Sequence, residues 1–174
     1  MTLRQGSGQV KPVVIFAVGN PSRGDDAIGP ELCGQLEKWL KNENLSDQFE
    51  LIEDFQLQIE HVLDLQGRQL ALFIDAGAHT PAPYTFRRIA PATGITCTTH
   101  ELPPEAVLQV YVQTEGADPP PAFVLCIRGE QFELGAALSA AAENNLGAAM
   151  ALLNELCRQP TLAAWEQASL TTAA

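Results

Sequence analysis

The chain has 174 residues, 46% of them hydrophobic, which fits one globular domain with a sizeable core. Its formal net charge of −11 argues against nucleic acid and anionic membranes as partners, while a metal ion or a neutral or basic peptide stays open. No apolar run approaches the roughly 18 residues of a spanning helix, and residues 1–12 read as a poor signal peptide, so a cytoplasmic protein is expected.

Val13 to Val18 are six apolar residues rich in β-branched types, which predicts a strand covered on both faces. Gly19, Asn20, Pro21 and Gly24 are turn residues. Ile28, Leu32, Leu36 and Leu40 recur every fourth position and predict one face of a helix over about Asp25 to Lys41. Phe49 to Phe55 reads as a second strand, and Ile59 to Leu65 as a short helix closed by Gly67. Leu70 to Ile74 is a central strand that stops at Asp75.

After the loop AGAHTPAP, Tyr84 to Ile89 predicts a more exposed strand. PATGITCTTHEL is irregular. Pro103 and Pro104 lead into a helix through EAVLQVYVQ, where proline in the first turn loses no hydrogen bond. Ala122 to Arg128 is a last buried strand, GEQFELGAALS is irregular, and Ala140 to Cys157 is helical. A single domain over 1–160 is expected, with 161–174 a fraying tail. The alternation of strands and helices indicates a three-layer α/β sandwich, a mainly parallel sheet with helices on both faces.

A glycine-rich turn between strand and helix first suggests phosphate binding. Gly19 and Gly24 have the G-x-x-x-x-G spacing, but Asp25 and Asp26 follow where Lys and Ser or Thr should stand. Two carboxylates there repel a phosphate and favour a cation. An Asp pair at a helix start also serves as an ordinary N-terminal cap, and the two roles can coexist, with Asp25 capping and Asp26 facing the site.

Asp75 ends a central strand, on the edge where open α/β sheets bind ligands, although an Asp also simply starts turns. His100 lies in a loop before a helix, where a histidine is also an ordinary polar group. Gathered on one edge, Asp26, Asp75 and His100 would make an open, incomplete set suited to Ni²⁺ or Zn²⁺. The four cysteines, Cys33, Cys97, Cys126 and Cys157, are scattered without a C-x-x-C pair and read as reduced and structural, with Cys97 nearest the candidate ligands. Neither G-x-S-x-G nor H-E-x-x-H is present.

GNPSRGDDAIGPEL, LFIDAGAH and TCTTHELPPEAVL together resemble the hydrogenase maturation proteases, endopeptidases that trim the C-terminus of the [NiFe]-hydrogenase large subunit. The resemblance spans about Val13 to Cys157, and GEQFELGAALS resembles the family's late segment. IEDFQLQIEHVLDL is most similar to the branch serving cytoplasmic, bidirectional NAD-linked hydrogenases. By this resemblance Asp26, Asp75 and His100 are the metal contacts, and Asp26 or Asp75 is the general base unless the metal itself activates the water. Some members carry Glu where Asp26 stands, and Ser commonly stands where Pro103 does.

The resemblance implies a nickel ion supplied by the precursor and no metal tightly held at rest. The implied partner is the large-subunit precursor, and a monomer is expected. A nickel-binding chaperone without cleavage, or a small-molecule hydrolase on a related scaffold, are the rival functions. Gly19 and Asn20 are expected to shape the loop that aims Asp26, and Asp54 and His79 to lie on the substrate side. His61 is expected to be structural or exposed, and Arg87 and Arg88 to be strand-surface charges.

Overall fold

The computed structural model describes residues 8–94 and 102–172. The strands are β1 (Val13–Val18), β2 (Phe49–Asp54), β3 (Leu70–Gly77), β4 (Tyr84–Ile89) and β5 (Ala122–Arg128). The helices are α1 (Ile28–Asn42), α2 (Pro104–Glu115), α3 (Ala140–Arg158) and α4 (Leu162–Thr172). Short 3₁₀ segments cover Gly24–Ala27, Ser46–Gln48 and Ile59–Leu65.

The five strands form one sheet in the order β2-β1-β3-β5-β4. β2, β1, β3 and β5 run parallel, and β4 closes the edge antiparallel to β5. The apolar runs of β1, β3 and β5 are buried on both sides because helices cover both faces of the sheet. On one face, Ile28, Leu32, Leu36 and Leu40 of α1 pack with α3 and α4 over Ile15, Leu72 and Phe123. On the other, Val107 and Leu108 of α2 and Val62 and Leu65 of the 3₁₀ segment cover Val14, Phe16 and Phe73. The expected three-layer sandwich is therefore the fold. Each Leu or Ile of the α1 stripe is essentially inaccessible, and burying such a side chain contributes about 1.5–3 kcal/mol.

Helix ends follow local chemistry. Pro104 occupies the first turn of α2, with Pro103 at the cap position and no side chain capping it. Ser139 caps α3, its Oγ accepting the Ala142 N–H at 3.1 Å.

Two expectations are corrected. The first helix does not start at Asp25: a 3₁₀ turn intervenes, α1 begins at Ile28, and no side chain caps it. Asp25 fails to cap because its carboxylate is taken up by donors from a distant loop. The segment after 160 does not fray either. It forms α4, whose Trp165 is wholly buried and donates its Nε1–H to the Leu156 carbonyl at 2.9 Å. The Trp165 ring meets Phe123 edge-on at 5.5 Å and Phe86 at 6.5 Å, which pins α4 over β4 and β5.

Candidate active site

The carboxyl ends of β1 and β3 open into a cleft of about 930 Å³. In a parallel sheet this edge collects loops from several strands, so side chains remote in sequence converge there. Asp26 from the corner after β1 and Asp75 from the end of β3 both border the cleft.

Asp26 is half-buried, and its Oδ2 accepts the Asn20 N–H at 2.9 Å. Asn20 is itself fixed, because its Oδ1 accepts the Ser22 N–H at 2.9 Å. Gly19 makes this corner possible. Its φ is +150°, and a Cβ there would fall 2.0 Å from the Asp26 carbonyl oxygen. Gly19 and Asn20 thus aim Asp26 through the backbone, and Asn20 also borders the cleft.

Asp75 is exposed at its position in β3, and its Oδ1 accepts the Ala76 N–H at 2.8 Å. It stands opposite Cys126 in the β3–β5 register. The Cys126 Sγ also borders the cleft and lies 2.9 Å from Thr80 Oγ1. Burial pushes this thiol up, the Asp75 charge adds to the rise, and the Thr80 hydrogen bond and the Arg87 charge offset only part of it. Cys126 therefore stays a neutral thiol near pH 7, which disfavours it as a nucleophile.

His100 and Cys97 lie outside the described residues. Among the described residues no group of three His, Cys, Asp or Glu side chains is placed to hold a metal ion. Of the three expected metal contacts, the two carboxylates Asp26 and Asp75 lie among the described residues, both bordering the cleft.

Asp54 and His79 stand elsewhere. The Asp54 Oδ1 accepts the Phe55 N–H at 2.7 Å, and its Oδ2 lies 3.4 Å from His61 Nε2. The His61 Nδ1 accepts the Gln58 N–H at 2.9 Å, so the ring proton sits on Nε2, towards Asp54. His61 is buried and packs edge-on against Phe16 at 5.5 Å, a structural role. Phe55, Gln56 and Leu57, not Asp54, reach the cleft wall from this loop. His79 is exposed and does not border the cleft.

Several cleft residues have no mark in the sequence. Arg87 borders it from β4 and is paired with Glu105 of α2 at 2.8 Å. Arg88, its neighbour, is paired instead with Glu166 of α4. Arg23 and Phe132 form another wall, with the Arg23 Nε–H donating to the Phe132 carbonyl at 3.3 Å.

Asp25 is wholly buried and its carboxylate accepts four hydrogen bonds. Its Oδ2 accepts the N–H of Glu130 at 2.7 Å, the N–H of Gln131 at 3.0 Å and the Ser139 hydroxyl at 2.8 Å. Its Oδ1 accepts the Ser139 N–H at 2.7 Å. Burial pushes its pKa up, but these four hydrogen bonds outweigh it and hold the carboxyl below the ordinary Asp value. Asp25 is thus an ionised tie between the Asp26 corner and the loop at 129–139.

No protein-family model and no curated protein sequence matches the chain. Solved structures do. The Escherichia coli hydrogenase maturating endopeptidase HybD superposes with a TM-score of 0.67 at 21% identity, over 85% of this chain and 93% of that one. The [NiFe] hydrogenase maturation protease HycI of Thermococcus kodakarensis gives 0.61 at 22% identity, over 88% and 96%. A hydrogenase 2 maturation peptidase from a Thaumarchaeota archaeon gives 0.59 at 20% identity, over 83% and 97%. With its five-stranded, mostly parallel sheet and its cleft at the carboxyl edge, the chain has the fold of the hydrogenase maturation proteases.

Proposed function

We propose that this protein is an endopeptidase that removes the C-terminal extension of a [NiFe]-hydrogenase large-subunit precursor after nickel insertion. The observation that carries this is that Asp26, from the corner after β1, and Asp75, near the end of β3, border one cleft of a maturation-protease fold.

Nickel here is cargo of the substrate. Asp26, Asp75 and His100 contact it when the precursor docks, which places the scissile bond beside the two carboxylates. One carboxylate takes a proton from water as the water oxygen adds to the scissile carbonyl, and returns it to the leaving amine as the C–N bond breaks. The metal supplies charge stabilisation at the carbonyl oxygen. The precursor of an NAD-linked enzyme is the partner this reading favours, with the protease acting as a cytoplasmic monomer.

The test is to mix the protein with nickel-loaded precursor and with nickel-free precursor and to follow the C-terminal mass of each. Cleavage of the loaded form alone is expected. Asp26→Ala, Asp75→Ala and His100→Ala should each abolish it while leaving the protein folded. Nickel-dependent binding with no cleavage by the unmodified protein would replace the protease with a chaperone.

A further inference from the structure

We infer that Asp25 is a positioning residue for the substrate cleft: its buried carboxylate clamps the 129–139 loop so that Phe132 is held as a wall against which the precursor docks. This rests on the endopeptidase reading of the cleft and assigns Asp25 a task distinct from that of its neighbour Asp26.

The loop needs such a clamp. Residues 129–139 form no helix or strand, so the loop has no hydrogen-bond ladder of its own. The Asp25 carboxylate instead takes the N–H groups of Glu130 and Gln131, immediately before Phe132, and both donors of Ser139 at the far end. Both ends of the loop are therefore tied to one side chain. The Asp25 N–H adds a bond to the Gln131 carbonyl at 2.6 Å, and the Gly24 N–H one to the Ala136 carbonyl at 3.1 Å.

The packing admits no bulk between corner and loop. Gly24 has φ +52°, and a Cβ there would lie 2.3 Å from the Gln131 carbonyl oxygen. A Cβ on Gly129 would lie 2.9 Å from the Asp25 Cβ. The two backbones touch, and the Asp25 carboxylate fills the space between them.

Phe132 is what this arrangement presents. It borders the cleft with Asp26 and Asp75, and its carbonyl accepts from Arg23, which borders the same cleft. Leu134, two residues on, is 77% exposed, so the loop also offers apolar surface outside the cleft. Asp25 does not border the cleft. It acts only through the loop, so its loss should weaken docking more than the chemical step.

Asp25→Asn is the direct probe, because an amide keeps the size but turns two donors towards the backbone N–H groups of Glu130, Gln131 and Ser139, which can only donate. In steady-state processing of nickel-loaded precursor, we expect KM to rise at least tenfold with kcat within about threefold. In amide hydrogen exchange, Glu130, Gln131 and Ser139 should lose at least a hundredfold of protection while the amides of β3 keep theirs.

Phe132→Ala should raise KM alone with those amides still protected. The double variant should be no worse in KM than Asp25→Asn, since Phe132 is already displaced. Additive KM penalties, or an Asp25→Asn effect confined to kcat, would overturn the assignment.

If Asp25→Asn does not fold, Ser139→Ala removes one of the four bonds together with the α3 cap, and should give a smaller KM rise and a smaller loss of protection at Glu130 and Gln131. Unchanged protection in Ser139→Ala would equally overturn the clamp. If the unmodified protein leaves loaded precursor intact, the endopeptidase reading and the docking role of Phe132 both fall. Protection of the three amides then still decides whether Asp25 clamps the loop.

Discussion

Asn20 and Asp26 are joined across the corner after β1, where the Asn20 N–H donates to Asp26 Oδ2 at 2.9 Å. The bond forms only because Gly19 takes a φ of +150° and leaves room for the Asp26 carbonyl, which a Cβ would approach to 2.0 Å. Gly19→Ala must therefore shift the backbone that carries Asp26, not only strain itself. A loss of more than about 2 kcal/mol in urea unfolding is expected. Processing should fall further than the unfolded fraction explains. Wild-type stability in this variant would mean that the corner relaxes without cost.

Asp54 is the last residue of β2 and Asp75 lies near the end of β3, on the same edge of the sheet, yet their carboxylates do different work. Asp75 borders the cleft, while Asp54 is spent on the Phe55 N–H and on His61. Asp75→Asn should lower processing by roughly a hundredfold or more, the range for loss of a general base. Asp54→Asn should leave kcat unchanged and cost about 1 kcal/mol of stability through the weakened His61 bond. Comparable kinetic losses in the two variants would place Asp54 in the site after all.

The layers of the fold were legible because they depend on local patterning. The apolar runs at Val13–Val18, Leu70–Ile74 and Ala122–Arg128 and the four-residue spacing from Ile28 to Leu40 each state their environment. The different tasks of Asp25 and Asp26 were not legible. Adjacent identical side chains carry no sign of which meets the cleft, and the donors that claim Asp25 lie 105 to 114 positions away.

Helix α4 was hidden for a different reason. LAAWEQASLTT buries a single residue, Trp165, so it shows no periodic stripe, and its docking depends on one ring finding Phe123 and Phe86. Asp26 and Asp75 could be paired in advance because strand ends on one edge of a parallel sheet must converge. Phe132 and Arg87 could not, since nothing about an aromatic in a loop or an arginine on a strand foretells a cleft wall.

Trp165 makes the C-terminal helix part of the domain. Trp165→Ala removes a fully buried indole and its hydrogen bond to Leu156, and about 3–5 kcal/mol of unfolding free energy should go with it. Truncation after Pro160 should cost at least as much, because it also uncovers Phe86 and Phe123. Both are read by urea denaturation followed by far-UV circular dichroism. A truncated protein of unchanged midpoint would return 161–174 to the status of a dispensable tail.

Cys33 and Cys157 set a limit on alkaline stability. Burial, with the charges of Glu53 and Glu37, pushes the Cys33 thiol up to about 11, and burial alone pushes Cys157 up to about 12. An acid whose pKa is raised by folding keeps its proton in the native state after the unfolded chain has released it. The unfolded state then binds fewer protons, so stability falls as pH rises. The loss starts near the unfolded thiol value, about 8.5, and continues until each folded pKa is reached. Between pH 9 and 11 each thiol should contribute a slope of up to about 1.4 kcal/mol per pH unit, less where water penetrates. Replacing both by Ala should flatten the measured decline of unfolding free energy over that window relative to the unmodified protein, whatever the variant costs at pH 7. The same shifts keep both thiols protonated and slow towards iodoacetamide at pH 8 in the folded state. A decline of equal steepness in the double variant would assign the alkaline loss to other groups.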